Sequence, residues 1–570
     1  MVGRSAWVLA DAALLGFLVW LWHVDIPPPP IRISIANSIG KQAWLHQAVQ
    51  EFNAESAGDV AYQVDRRPVQ VEIIQESVAG QTQDYRSGTM VKDTVAGKIQ
   101  PTILSPAGDF WIAKLQKEWR DRFDGEVTSD VGPALARTPL VVAMWSSRVQ
   151  ALGCWPIAQP ECAWPRIVAL AKAPDGWGML GRPEWGQLKL GYAYLPEDSP
   201  ATAATVLICM SGAGKPSGLA VLDVDVDSAC GQSMAAVEDA KTHSGTTSIA
   251  LLQDMPTRHP PNLDGVFLYE SDVVGSNQRL AQPLADPIVS VYPQDGNFLE
   301  SHPFTVLDGA PWVNMQQVAA AKVFLRFLLS RDQQLKVLAT GLRPADPSVP
   351  LGPPIDQGHG ASPNVSLLAL EMPERLVVDR ITEVWQRVRK HTIVALVFDK
   401  SSTMVGPKLA AAIQGAQEFV ATMDRDDSVI WMPFDTEVAP PIESPPDHEL
   451  SQRIGETTAG GETALYDAVL AARAELQSRR AIFGATRRYG LVVLSDGRDS
   501  VSKSTQALLE LALQPEESDP NGIQMHTIAT SDDVDEVVLR EIAKAGNGTF
   551  TRATTAADLV KVYSEIAKYY

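Results

Sequence analysis

The chain has 570 residues, with 48 lysines and arginines against 68 aspartates and glutamates and a formal net charge of -20. Such an excess of negative charge repels a phosphate backbone and argues against nucleic acid as a partner. A chain this long exceeds what one hydrophobic core can serve, and with 45% apolar and 20% charged residues its composition is that of several folded lobes.

At the amino terminus, Arg4 precedes an apolar stretch over residues 6–24, interrupted once by Asp11 and ending in Trp20, Leu21, Trp22 and His23, like the aromatic fringe at a membrane surface. About 20 apolar residues cross a bilayer as a helix. An acid at the bilayer centre costs on the order of 3 kcal/mol, but Asp11 lies near the start, within reach of the headgroups. No small-residue cleavage signal precedes Pro27 to Pro30 and no cysteine stands there to be lipidated, so residues 1–24 read as an uncleaved transmembrane helix rather than a signal peptide. With only Arg4 and the free amine on the short side, the bulk of the chain belongs outside the cytoplasm, in the periplasm or at the cell surface. Residues 25–30 form a stiff, proline-rich spacer.

Residues 31–36 alternate, with Ile31, Ile33 and Ile35 on one face, and 41–53 follow with helical spacing at Leu45, Val49 and Phe52. A strand over 69–74, a helix over 91–98, a strand over 102–104 and a helix over 111–120 continue this β/α alternation, which predicts a largely parallel sheet with helices on both faces. Residues 139–145 read as a strand opening a second lobe, and the chain after about Pro287 returns to close it. All four cysteines, Cys154, Cys162, Cys209 and Cys230, fall in this stretch. An even number in an oxidising compartment points to disulfides, nearest-neighbour pairing being one of three connectivities, with four buried thiols as the alternative. Their spacing fits no usual zinc pattern.

Ser38 after the first strand, Glu51-Phe52-Asn53, Pro101-Thr102 to Ser105-Pro106, Gly181 to Gly186, Tyr292 to Gly296 and Leu342-Arg343-Pro344 together resemble the two-lobed class of bacterial periplasmic solute-binding proteins. The resemblance implies a two-lobed, type II fold over residues 31–375 with a ligand held in the cleft between lobes. Ser38, Ser105 and Ser199 are then the candidate ligand contacts, although serines after strands also serve as turn or cap residues. Residues 347–364, rich in proline and glycine, lead to a connector helix over 376–390 and a further domain over 391–570.

That domain opens with an apolar run over 393–398 that ends in Asp399, followed at alternate positions by Ser401 and Thr403. Thr463 stands before a helix-like pattern, and Asp496 ends the strand-like run 489–494. Each of these oxygens lies where open α/β sheets place their sites, at the carboxyl end of a strand or the mouth of a helix. Carboxylates and hydroxyls suit Mg²⁺, or Mn²⁺ and Ca²⁺, better than zinc. The bland alternative is that Asp399, Asp496 and the hydroxyls cap helices.

Residues 391–570 resemble a von Willebrand factor type A domain with a metal-ion-dependent adhesion site, a doubly wound, Rossmann-like fold. The resemblance assigns Asp399, Ser401 and Thr403 to its DxSxS segment, with threonine where the third position is usually serine, Thr463 to its threonine and Asp496 to its later aspartate. It implies a metal with one coordination position open to a carboxylate presented by a partner protein.

Signatures of catalysis are lacking. Gly212-Ala213-Gly214-Lys215-Pro216 misses the first glycine and the hydroxyl residue of a phosphate loop, and no HExxH or GxSxG motif occurs. The sequence therefore points to a non-enzymatic, membrane-anchored, extracytoplasmic binding protein with a metal-linked protein partner and a small ligand. A metal-assisted hydrolase or a transport-associated substrate-binding component is the alternative.

Overall fold

The computed structural model describes residues 29–567 apart from 79–80, 157–158, 196–197, 244–246, 258–262, 366–367, 497, 514–521, 532–533 and 554. The expected transmembrane helix over 1–24 lies outside the described residues, and among the described residues no helix is long and apolar enough to cross a membrane.

Ile31, Ile33 and Ile35 all point into a core, as their alternation predicts, and the strand that carries them is the centre of lobe 1. Its sheet runs, in spatial order, Thr305–Val306, Ile103–Ser105, Ile31–Asn37, Arg67–Ile74 and Gln63–Val64. The three inner strands are parallel and the two edges antiparallel. Helix Gln42–Gly58 buries Trp44, Leu45, Ala48, Val49 and Phe52. Phe52 meets Phe324 and Phe327 of helix Met315–Leu328, so the late return of the chain completes the core of lobe 1.

Lobe 2 is built on the long strand Ala134–Trp145, which begins before Pro139, where the sequence suggests a start. Its second half lies antiparallel between Ile288–Val291 and Gly265–Tyr269, with Leu190–Gly191 and Lys241–His243 beyond. Its first half pairs with Leu299–Pro303 and Arg343–Pro344. These strands lead from one lobe to the other. Disulfides join Cys154 to Cys162 and Cys209 to Cys230, the latter tying helix Ser199–Gly212 to helix Ala229–Ala240.

Helix Arg375–Val388 lies where the connector over 376–390 is expected, leads into strand Thr392–Asp399, and in addition packs into lobe 2. Val377, Val378, Ile381, Val384 and Trp385 sit in the core of lobe 2, because a stripe of large apolar residues at helical spacing must be covered by something.

The C-terminal domain holds a six-stranded sheet in the order Ile442–Ser444, Ser428–Phe434, Thr392–Asp399, Arg488–Ser495, Gln524–Ala529 and Asn547–Arg552, parallel except at the first edge. Strand Thr392–Asp399 is buried throughout. Ile393, Ala395 and Val397 face helix Leu465–Phe483, while Val394, Leu396 and Phe398 face helices Pro407–Thr422 and Ala556–Ala567. The chain leaves this strand for one neighbour and returns to the other, so the sheet reverses its winding between residues 399 and 495, the position at which open α/β sheets place their binding sites.

Candidate metal centre

Asp399 ends one of the two strands that flank this switch point, and Asp496 directly follows the other. The Asp399 carboxylate accepts the Ser401 backbone N–H at 2.9 Å and the Ser495 hydroxyl at 2.7 Å. Ser401 Oγ and Thr403 Oγ1 are 2.9 Å apart, and Thr403 Oγ1 donates to Asp496 Oδ1 at 2.6 Å. The other Asp496 oxygen accepts from Lys408 Nζ at 2.7 Å. Four of the five residues that the resemblance assigns to the site thus form one continuous hydrogen-bonded cluster.

Thr463 reaches the same rim through its backbone. Gly460 N–H donates to the Lys400 carbonyl at 2.8 Å and Ser402 N–H to the Gly461 carbonyl at 3.0 Å, lacing the segment that carries Thr463 to the loop after Asp399. Thr463 N–H donates to Ser500 Oγ at 3.0 Å, and Ser500 N–H to the Thr463 carbonyl at 2.9 Å. None of the hydrogen bonds that join the other four involves the Thr463 hydroxyl. Gly461 has φ of +77°, and a side chain there would collide with Thr436 and Asp435, so the turn that brings Thr463 round favours glycine.

The donor set suits a hard cation. Asp399 and Asp496 are 0% and 2% exposed, while Thr403 is open to solvent, so the cluster runs from buried carboxylates to the surface. Burial, together with the charge of Asp496, pushes the Asp399 carboxyl up. Lys408 stands against Asp496, and neutral donors satisfy Asp399. A divalent ion would supply the charge that this pair lacks, and oxygen-only donors fit Mg²⁺ or Mn²⁺. Ser495 and Lys408 do not stand out in the sequence. Their only signal is position, Ser495 beside Asp496 and Lys408 in the first turn of the helix after the motif.

His391, Asp424 and Asp426 bring ligand-type atoms within 4.8 Å of one another. They lie at the opposite end of the sheet, before strand Thr392–Asp399, which at about 3.3 Å per residue places them some 25 Å from Asp399. Arg389, 3.7 Å from Asp424 and 3.0 Å from Asp427, already supplies positive charge there.

The candidate cleft residues divide. Ser38 and Ser105 end adjacent strands of lobe 1 and are joined by Ser38 N–H to Ser105 O at 3.0 Å. Both hydroxyls are engaged, Ser38 Oγ by Lys41 Nζ at 2.8 Å and Ser105 Oγ by the Pro303 carbonyl at 2.6 Å. Lys41 also donates to the Ser105 carbonyl at 2.7 Å, and burial holds its ammonium well below the usual lysine value. Ser199 opens a buried helix in lobe 2 instead, and neither its hydroxyl nor the buried Tyr269 hydroxyl makes a well-formed hydrogen bond.

Residues 33–343 match the family model of bacterial extracellular solute-binding proteins, more than half of the chain. The chain belongs to that family. In this solute-binding protein, residues 394–565 also match the von Willebrand factor type A domain, hereafter VWA. Among solved structures, the chain is similar to a von Willebrand factor type A protein from Catenulispora acidiphila, at 19% identity over 32% of this chain and 42% of that one, with a TM-score of 0.27. It thus spans less than half of that protein's length. A periplasmic thiamin binding protein is 11% identical over 63% of this chain and 96% of its own, with a TM-score of 0.40. An ABC transporter from Clostridium perfringens ATCC 13124 is 13% identical over 62% and 99%, with a TM-score of 0.39. No curated protein matches the chain.

Proposed function

We propose that this solute-binding protein is a membrane-anchored, extracytoplasmic and non-enzymatic binding protein. Its VWA domain holds Mg²⁺, or Mn²⁺ or Ca²⁺, and through it an acidic group of a partner protein, while the two-lobed domain takes a small ligand between its lobes. The observation that carries this reading is the pair of buried carboxylates, Asp399 and Asp496, linked through the Ser401 backbone N–H and the Ser401 and Thr403 hydroxyls, with Thr403 open to solvent. Asp399, Ser401, Thr403 and Asp496 would hold the ion, with Thr463 beside them. The bound cation would offer a carboxylate an open, positively charged coordination position.

The test is calorimetric titration of the full chain with Mg²⁺. Wild type should give a saturable heat, Asp399→Ala none, and Thr463→Ala a binding weakened by about tenfold, since one oxygen ligand or its water bridge is lost. Equal and negligible heats in all three proteins would sink the metal reading.

A further inference from the structure

The end of the VWA domain opposite the oxygen cluster is set into lobe 2. Glu238, in the last turn of helix Ala229–Ala240, is fully buried and accepts hydrogen bonds from the Tyr192 hydroxyl, from Trp385 Nε1 at 3.1 Å and from the Arg488 guanidinium at the start of a VWA strand. Burial pushes its carboxyl up, but Arg488 and Lys241 outweigh this and hold it down to about 2. Next to it, Lys390 Nζ donates to the Asp239 carbonyl at 3.1 Å. Cations at a helix carboxyl end meet its free carbonyls and its negative dipole, so this is a favoured place for Arg488 and Lys390. The joint itself is short. Connector helix Arg375–Val388, embedded in the lobe 2 core, gives way after three residues to strand Thr392–Asp399, and Arg389 in between is paired with Asp427 of the VWA domain at 3.0 Å.

Lobe 1 meets these parts by packing at the side. Strand Glu76–Val78 of a short hairpin lies against the C-terminal helix Ala556–Ala567, and helix Phe110–Arg122 against the connector helix. The two lobes have separate sheets, and the strands of residues 134–145, 299–303 and 343–344 run between them. Units with separate cores joined by a few strands move relative to one another unless a large interface prevents it.

We propose that the VWA domain and lobe 2 move as one rigid body, so that the hinge between the lobes is also the hinge between lobe 1 and the VWA domain. Opening or closing the cleft then swings the oxygen-lined rim relative to lobe 1, and the hairpin strand Glu76–Val78 slides along or leaves the C-terminal helix. A partner that bridges the rim and lobe 1 reads the state of the cleft directly. This consequence rests on the binding roles proposed above, whereas the rigid-body claim stands on the buried joint alone.

The test needs no ligand. All four native cysteines are disulfide-bonded, so spin labels can be placed in pairs on cysteines introduced at Val60 in lobe 1, Leu222 in lobe 2 and Val537 in the VWA domain, which are 74%, 96% and 68% exposed. In the metal-free full chain, the distance distribution for 222–537 should be narrow. Those for 60–222 and 60–537 should be similar to each other and at least about twofold wider. Arg488→Met should widen 222–537 while leaving 60–222 unchanged, and Lys390→Met is the milder variant should Arg488→Met fail to fold. A 222–537 distribution as wide as 60–222, or three equally narrow ones, overturns the proposal. Mg²⁺ calorimetry on the same samples scores the metal reading separately.

Discussion

Two carboxylates held in one buried cluster repel each other and remain charged only where donors or cations surround them. At Asp496 the cation is Lys408, at Asp399 the donors are neutral, and the difference has a consequence. Lys408 stands where its charge repels an incoming divalent ion and competes with it for Asp496. Because Lys408 is 43% exposed, solvent screening keeps the effect small. Lys408→Met should tighten Mg²⁺ binding about three- to tenfold, and should destabilise the metal-free protein by no more than about 1 kcal/mol. Calorimetry with Mg²⁺ and thermal unfolding in chelator read the two effects, and unchanged or weaker Mg²⁺ binding would show that the ammonium does not compete. Asp399, Ser401 and Thr403 can be picked out of the sequence by their alternate spacing after an apolar strand, and Thr463 and Asp496 by their places before a helix pattern and after a strand, which the resemblance joins to them. Lys408 and Ser495 cannot, since a lysine in a helix and a serine in a strand have no pattern until folding brings them to a carboxylate.

At the scale of elements, the connector helix is the instructive case. Its apolar stripe, Val377, Val378, Ile381, Val384 and Trp385, is plain from spacing, but a stripe says only that a face is covered, never by what. The same limit applies to the long strand of lobe 2. Pro139 lacks an N–H and looks like a strand boundary, yet residues 134–138 continue the strand because partners from residues 299–303 and 343–344 pair with them. Trp385 both fills the lobe 2 core and donates to Glu238, so Trp385→Ala should cost about 3–5 kcal/mol in urea unfolding, the range for removing a large buried aromatic ring. A loss below about 1 kcal/mol would mean that the helix is a tether resting on lobe 2 and not part of its core.

Over the whole molecule, alternation gives β/α order and the family resemblances imply the two-lobed body and the doubly wound domain, whereas the grip of one on the other depends on Glu238, Lys241 and Arg488, of which Arg488 lies far along the chain from the other two. That grip should respond to acid. The Glu238 carboxyl lies at about 2 in the folded protein against 4.5 for the free group, so its contribution to stability is fully present above about pH 4.5 and is lost as pH falls toward 2. Lys241, held down to about 7 mainly by burial, acts over a higher range. Its contribution is present above about pH 10.5 and is lost as pH falls to 7, below which it changes no further. Between pH 6 and 3.5, therefore, Glu238 takes up a proton in the unfolded chain but stays ionised in the folded one, whereas Lys241 is protonated in both. Glu238→Gln should lower stability at pH 6, because Arg488 and Lys241 lose their counter-charge, but it should lose less than wild type on acidification. The gap between the two proteins in urea unfolding should then narrow by about 1 kcal/mol at pH 3.5. A gap of constant size would mean that hydrogen bonding and packing at residue 238, rather than its charge, hold the VWA domain to lobe 2.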